Sequence, residues 1–348
     1  MRIEKLFLAL VLFISFNSYS QEKSFEIRTV AFYNVENLFD TINDPKKFDD
    51  DRTPDGKDKY TSKTYWDKID NLSRVLSEIG TEESKESPAI VGICEVENLE
   101  VVQDLIRSER LKGRGYGIVH YDSPDERGID VALLYRKKYF KPLSDKIFTL
   151  FLFKDDGKRD FTRDQLLVSG LLDGELIHII VNHWPSRSGG EEKSRPNRIA
   201  AAKLNKKIID SLQNVDAKAK IITMGDLNDD PTNQSVAVIL NTQEKKEQVK
   251  ATKGLYNPMA AMYRKGLNTL AYRDGLNLFD QIIFSQPFLE KDYATYRFYK
   301  AGIYNKDYLI TSKGPYKGYP FRSYNYNTYQ DGYSDHFPVY IYLIREKK

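Results

Sequence analysis

The chain has 348 residues, 41% of them hydrophobic and 30% charged, with a formal net charge of +3 and one cysteine. That length suffices for one large domain or two small ones around a sizeable core. The lone Cys94 excludes an internal disulfide, and the mixed charges give only a weak lean toward an anionic partner.

Met1 to Ser20 reads as a secretory signal: Arg2 and Lys5 form a basic start, Leu6 to Phe16 an apolar stretch, and Ser18-Tyr19-Ser20 a small-residue cleavage site. The apolar stretch is shorter than the ~20 residues a spanning helix needs, so no membrane anchor is expected. Residues 21–348 then form one secreted, periplasmic or extracellular domain, expected to be monomeric and to need no protein partner. Phe25 to Tyr33 begins with strand-like alternation and ends at Asn34. Asp44 to Asp58 reads as a solvated loop, and Tyr65 to Ile79 has helical spacing. Ala89 to Cys94 is a buried strand with Glu95 at its end, and Leu99 to Ile106 looks helical. Tyr116–Tyr121 and Ile129–Tyr135 form an expected strand pair. Further strands are expected at Phe148–Phe153, Gln165–Leu172 and Glu175–Val181, the last running into Asn182-His183. Arg198 to Leu212 is an amphipathic helix.

Ile221 to Met224 is a short apolar run that stops at Gly225-Asp226-Leu227-Asn228. If the backbone stays extended there, Asp226 and Asn228 face the same side. Asn241 to Asp274 lacks clear periodicity and is expected to be an insertion or long loop. Leu278–Phe284 and Val339–Ile344 complete the strands. Helices and strands alternate early and strands dominate later, which argues for an α/β sandwich of two packed sheets.

Asn34, Glu95, His183, Asp226, Asn228, Asp280, Asp335 and His336 share one property: each lies in or at the end of an apolar strand. Singly, each reads as a cap or turn residue. Together, with two of only four histidines among them, they read as a site. In chain order these segments resemble the endonuclease/exonuclease/phosphatase superfamily. The matching pieces are Asn34, Gly92-Ile93-Cys94-Glu95-Val96, Asn182-His183, Gly225-Asp226-Leu227-Asn228, Phe279-Asp280-Gln281-Ile282 and Ser334-Asp335-His336-Phe337-Pro338. The resemblance implies a four-layered DNase I-like sandwich of two mainly antiparallel sheets flanked by helices.

It also implies a divalent-metal-dependent phosphodiesterase. Oxygen ligands suit Mg²⁺ or Mn²⁺. Glu95 and Asp335 would be the carboxylate ligands, with Asn34 as a neutral ligand or positioning group. Asp226 would take or direct the proton of the attacking water, with Asn228 holding the phosphate or the water. His336, paired with Asp280, is the rival base. His183, oriented by Asp130, would protonate the leaving group or hold a phosphate oxygen. Arg187, Arg163 and Arg127 are candidates for phosphate contact. His178 and His120 are read as packing residues.

Arg187, Lys193, Arg195 and Arg198 form a basic stretch after His183, read either as a flexible loop that holds a polyanion beside the site or as a solvated loop leading into a helix. Tyr293 to Tyr333 interleaves tyrosines with Arg297, Lys300, Lys306, Lys313, Lys317 and Arg322, a pattern that suits stacked bases along a phosphate chain. The first reading is therefore a secreted nuclease acting on DNA or RNA. The alternative is a phosphatase or phospholipase-type phosphodiesterase using the same site. A third reading, a non-catalytic glycan-binding protein, has no need of both histidines and every carboxylate.

Overall fold

The structure, a computed structural model, describes residues 24–347. The expected signal Met1–Ser20 lies outside the described residues. In chain order the strands of the two large sheets begin with β1 (Phe25–Leu38), β2 (Ile90–Val96), β3 (Tyr116–His120) and β4 (Asp130–Arg136). They continue with β5 (Phe140–Phe148), β6 (Gln165–Leu172), β7 (Glu175–His183), β8 (Ile221–Asp226), β9 (Thr242–Gln243) and β10 (Leu255–Tyr256). The last are β11 (Asp280–Phe284), β12 (Arg297–Ile303) and β13 (Val339–Glu346).

One sheet has six strands in the order β12-β13-β1-β2-β4-β3; the other has seven, β9-β10-β11-β8-β7-β6-β5. Most neighbours are antiparallel, but β1 with β2, β7 with β8 and β9 with β10 run parallel. Apolar residues at both parities of the central strands dictate burial on both faces. In β1, Val30 and Phe32 enter the core between the sheets, while Ala31 and Tyr33 face helices. In β8, Ile222 and Met224 point between the sheets, and Ile221 joins the outer cluster.

Helices cover both outer faces, giving the four expected layers. Helices α1 (Ser62–Glu78) and α2 (Leu99–Arg107) pack Leu72, Leu76, Val102 and Leu105 on the first sheet. Each begins at a side-chain cap: Thr61 accepts from the Thr64 N–H, and Asn98 from the Val101 N–H. Helix α3 (Glu191–Val215) lays Ala201, Ala202, Ile208 and Ile209 on the second sheet. Among the described residues no helix is long and apolar enough to cross a membrane.

Three expectations need correction. The strand placed at Phe148–Phe153 is divided: Phe148 ends β5, an edge strand whose middle residues are exposed and whose apolar signal is weak, and Leu152–Phe153 pairs separately with Arg159–Asp160. The helix expected from Arg198 starts at Glu191, which places Lys193, Arg195 and Arg198 of the supposed basic loop in its first two turns, with Pro196 among them. The segment 241–274 is not one long loop: β9 and β10 extend the second sheet, and helices α4 (Lys246–Thr252) and α5 (Pro258–Arg264) form between and after them.

Candidate active site

Strand register brings three of the expected residues abreast. In the second sheet, β8 pairs Asp226 with His183 of β7 on one side and with Asp280 of β11 on the other. Gly225 makes the parallel pairing possible, because a Cβ there would lie 2.3 Å from the Asn182 carbonyl oxygen. Asn182 is fully buried and ties the strands together, donating to Thr223 Oγ1 at 2.8 Å and the Met224 carbonyl at 3.0 Å. Asn205 on α3 donates in turn to Asn182 Oδ1 at 2.9 Å.

β8 ends at Asp226, so alternation does not align Asp226 with Asn228. Asn228 has a left-handed φ of 49°, and its N–H donates to Asp226 Oδ1 at 2.9 Å. An Asx turn thus replaces the expected extended backbone. Asn228 Nδ2 donates to the Trp184 carbonyl at 2.9 Å.

The first sheet supplies the other half. Asn34 on β1 donates from Nδ2 to Glu95 Oε1 at 3.2 Å and to Asp226 Oδ2 at 3.1 Å, linking the two sheets. Its Oδ1 accepts the Glu36 N–H at 2.9 Å. Asn34 thus turns its nitrogen to the carboxylates and joins Glu95 to Asp226 across the two sheets. Glu36, Asn37 and Glu95 have left-handed φ values of 50°, 54° and 63°. Such strain in non-glycine residues persists where the surroundings over-determine it, and it gathers at sites. The loop before β13 is pinned when Ser334 Oγ donates to the Asn34 carbonyl at 2.7 Å.

Asp226 Oδ2 is the hub. It lies 3.8 Å from His183 Nε2 and 3.8 Å from His336 Nε2. His183 Nε2 is also 3.8 Å from Glu95 Oε1. His336 Nδ1 is 2.7 Å from Asp280 Oδ2. Burial chiefly, with help from Asp280 and Glu95, lifts the Asp226 carboxyl to about 6 against the opposing pull of His336. The two histidines diverge. Burial works to lower His336, yet the Asp280 and Asp226 carboxylates outweigh it and hold the imidazolium well above the usual range. Burial, the Arg163 and Arg127 guanidiniums and His336 push His183 well below that range. His183 is therefore neutral and His336 charged near neutral pH.

A second network, not anticipated from sequence, backs the carboxylates. Buried Glu36 accepts from the Ser323 N–H at 2.7 Å and Ser323 Oγ at 2.8 Å. Arg322 reaches both Glu36 Oε1, at 3.2 Å, and Asp335 Oδ2, at 3.1 Å. Lys68, fully buried, donates to the Glu36 carbonyl at 2.7 Å, and burial draws its ammonium down to about 8. Burial and then the Glu36 charge raise Asp335 to about 6, with His336 and Arg322 opposing. Such crowding of carboxylates, with oxygen donors at Glu95 and Asp335, fits a hard divalent cation. Asp226, Asp280 and His336 also bring ligand-type atoms within 4.8 Å of one another.

Several expected contacts go elsewhere. Asp130 does not orient His183: its Oδ2 is 3.0 Å from His120 Nε2 and its Oδ1 accepts the Ser123 N–H at 2.7 Å. The His183 Nδ1 is buried without a partner. His120, read as packing, is thus the imidazole that Asp130 holds. Arg163 is not available to a phosphate; it is buried, with NH1 on Asp125 at 3.0 Å and NH2 on the Trp184 carbonyl at 2.6 Å. Arg187 is likewise engaged, by the Asn228 carbonyl at 2.9 Å and by Glu191, Asp229, Asp230 and Asn233. Arg198 pairs with Asp229 at 2.6 Å. Arg127 alone of the three expected phosphate-contact arginines has a largely exposed side chain, with Asp125 at 3.6 Å.

These placements make Arg163 structural. Arg163→Ala strands the buried Asp125 carboxylate and is expected to cost about 3–5 kcal/mol of stability, read by urea unfolding. A change within experimental error would contradict that role.

The sequence matches the model of the Endonuclease/Exonuclease/phosphatase family over residues 29–345. The chain belongs to this family. Members of the endonuclease/exonuclease/phosphatase family are phosphoric ester hydrolases, and so is this chain. Among curated proteins none matches it. Among solved structures, an endonuclease/exonuclease/phosphatase family protein from Bacteroides thetaiotaomicron is 17% identical, with a TM-score of 0.54 over 93% of this chain and 100% of that one. A mannosyl-6-phosphatase from Bacteroides thetaiotaomicron is 18% identical, with a TM-score of 0.52 over 91% and 99%. D. rerio TDP2, complexed with single strand DNA product, is 13% identical, with a TM-score of 0.52 over 91% and 98%. At these identities the likeness is one of fold.

Proposed function

We propose that the chain is a secreted, divalent-metal-dependent phosphodiesterase that hydrolyses nucleic-acid backbones by in-line attack of water. The observation that carries the hydrolytic reading is Asp226 Oδ2, set 3.8 Å from both catalytic imidazoles and 3.1 Å from Asn34. Glu95 and Asp335 would hold Mg²⁺ or Mn²⁺, which supplies charge stabilisation at the phosphoryl and leaving oxygens.

Asp226 is the better base of the two considered. Its carboxyl titrates near 6, close to where a general base works best, and Asn34 and the Asn228 N–H fix its orientation. His336 is held protonated by Asp280, so it donates from Nε2 to a phosphate oxygen rather than accepting a proton. His183 is neutral, so it serves by hydrogen bonding to the phosphate rather than as a charged acid. Asn228, anchored to Trp184, lines the same edge.

Support for a nucleic-acid substrate is narrower than the tyrosine pattern suggests. Tyr296, Tyr304, Tyr324 and Tyr333 are buried in the cores. Tyr316 and Tyr326 remain exposed, at 39% and 84%, on the segment whose Arg322 reaches Asp335. Two aromatic faces beside a guanidinium suit a base, at ~1–3 kcal/mol per stacked base. That small platform also suits one sugar ring, which favours a soluble phosphomonoester as the second reading.

Incubation with Mg²⁺, and in parallel with EDTA, on plasmid DNA, RNA, a soluble phosphomonoester and sphingomyelin tests both. Metal-dependent nicking is expected, abolished by EDTA and restored by excess Mg²⁺ or Mn²⁺. Phosphate release without nicking would replace the first reading by the second. Hydrolysis that persists in EDTA would overturn the metal requirement.

A further inference from the structure

We propose a second divalent-cation site, distinct from the catalytic carboxylates, in which His120, Asp122 and Asp130 bind a borderline metal such as Zn²⁺. The three residues frame the hairpin between β3 and β4. One ligand-type atom from each lies within 4.8 Å of the other two. His120 Nε2 and Asp130 Oδ2 are 3.0 Å apart. A tetrahedral ion with bonds of ~2.0–2.2 Å holds its ligand atoms ~3.3–3.6 Å apart, so this pair needs to open by only a few tenths of an ångström.

The site is built rather than accidental. The side chains of His120 and Asp130 are 2% and 3% exposed, so both are fixed in a packed floor. The Asp130 carboxylate is oriented from its other oxygen by the Ser123 N–H at 2.7 Å. Asp122 is exposed and closes the outer side, leaving further coordination positions to water. The donor set differs in kind from Glu95 and Asp335. An imidazole nitrogen suits Zn²⁺ and its neighbours, whereas Mg²⁺ prefers oxygen alone.

Its place in the fold gives the cation work to do. Asp130 pairs with Val96 across β2 and β4, one residue beyond Glu95. The hairpin loop that the three residues pinch at its base carries Arg127 and the Asp125 that holds Arg163. A cation there fixes this loop beside His183. If the His120–Asp130 pair were only a hydrogen-bonded brace, Asp122 would have no part in it, and no zinc would bind.

The test is zinc titration by calorimetry on the full chain carrying Glu95→Gln and Asp335→Asn, in excess Mg²⁺. These changes weaken the catalytic position, so the outcome is independent of whether the hydrolytic reading holds. One equivalent of Zn²⁺ is expected. Adding Asp122→Asn, which alters an exposed side chain and leaves folding intact, is expected to weaken that uptake by at least about 10–100-fold. His120→Ala is expected to abolish it. Absence of zinc uptake before these additions, or unchanged affinity after Asp122→Asn, would overturn the proposal.

Discussion

Replacing Asp226 by Asn is expected to lower kcat by about 10²–10⁴-fold with KM little changed. The carboxylate lies between the two sheets' contributions, with Asn34 at 3.1 Å and His183 and His336 at 3.8 Å each. Asparagine keeps the shape and still accepts the Asn228 N–H. It has no proton-accepting charge, and its amide nitrogen faces the Asn34 donor. The loss of that one hydrogen bond costs roughly 0.5–1.5 kcal/mol, so the protein stays folded. Steady-state rates and urea unfolding on the same preparation separate the two effects. A variant with near-parental turnover would remove Asp226 from the role of base.

Replacing His336 by Ala is expected to have an effect of similar size on rate, about 10²–10⁴-fold, together with a larger loss of stability. The imidazolium is buried between Asp280 and Asp226, with Asp280 Oδ2 at 2.7 Å. Its removal leaves Asp280, itself fully buried, without its counter-charge. Breaking a buried pair from one side costs about 3–5 kcal/mol. Combining His336→Ala with Asp280→Asn is therefore expected to recover stability without recovering rate. A double variant as unstable as the single one would show that the pair is not coupled as described.

The parts of this account legible in the sequence are those written in local pattern. β2 and β8 announce themselves because they are apolar at both parities, which a strand covered on both faces requires, and β1 announces itself by the alternation at its start. Glu95, His183 and Asp226 stand out because each ends such a run. What could not be read is whatever depends on partners far apart in the chain. Glu36 meets Ser323 across 287 positions, and nothing local marks either residue as part of the site. Asp130 chose His120 over His183 because strand pairing brings the ends of β3 and β4 together, a choice fixed by register rather than residue type. The tyrosine-rich segment misled for a different reason: Tyr favours both strands and contact surfaces, and here Tyr296, Tyr304, Tyr324 and Tyr333 fill cores. Arg163 and Arg187 misled similarly, since a guanidinium beside a site serves as readily to hold loop carbonyls as to hold a phosphate.

In the proposed mechanism, residues from both sheets meet at one edge to hold a divalent ion against a phosphoryl group. Crystals soaked in Mn²⁺ and examined by anomalous scattering test it most directly. The predicted result is a manganese peak bound by the carboxylates of Glu95 and Asp335, on the side of Asp226 that faces Asn34. A peak that excludes Glu95, with hydrolysis still dependent on manganese, would contradict it.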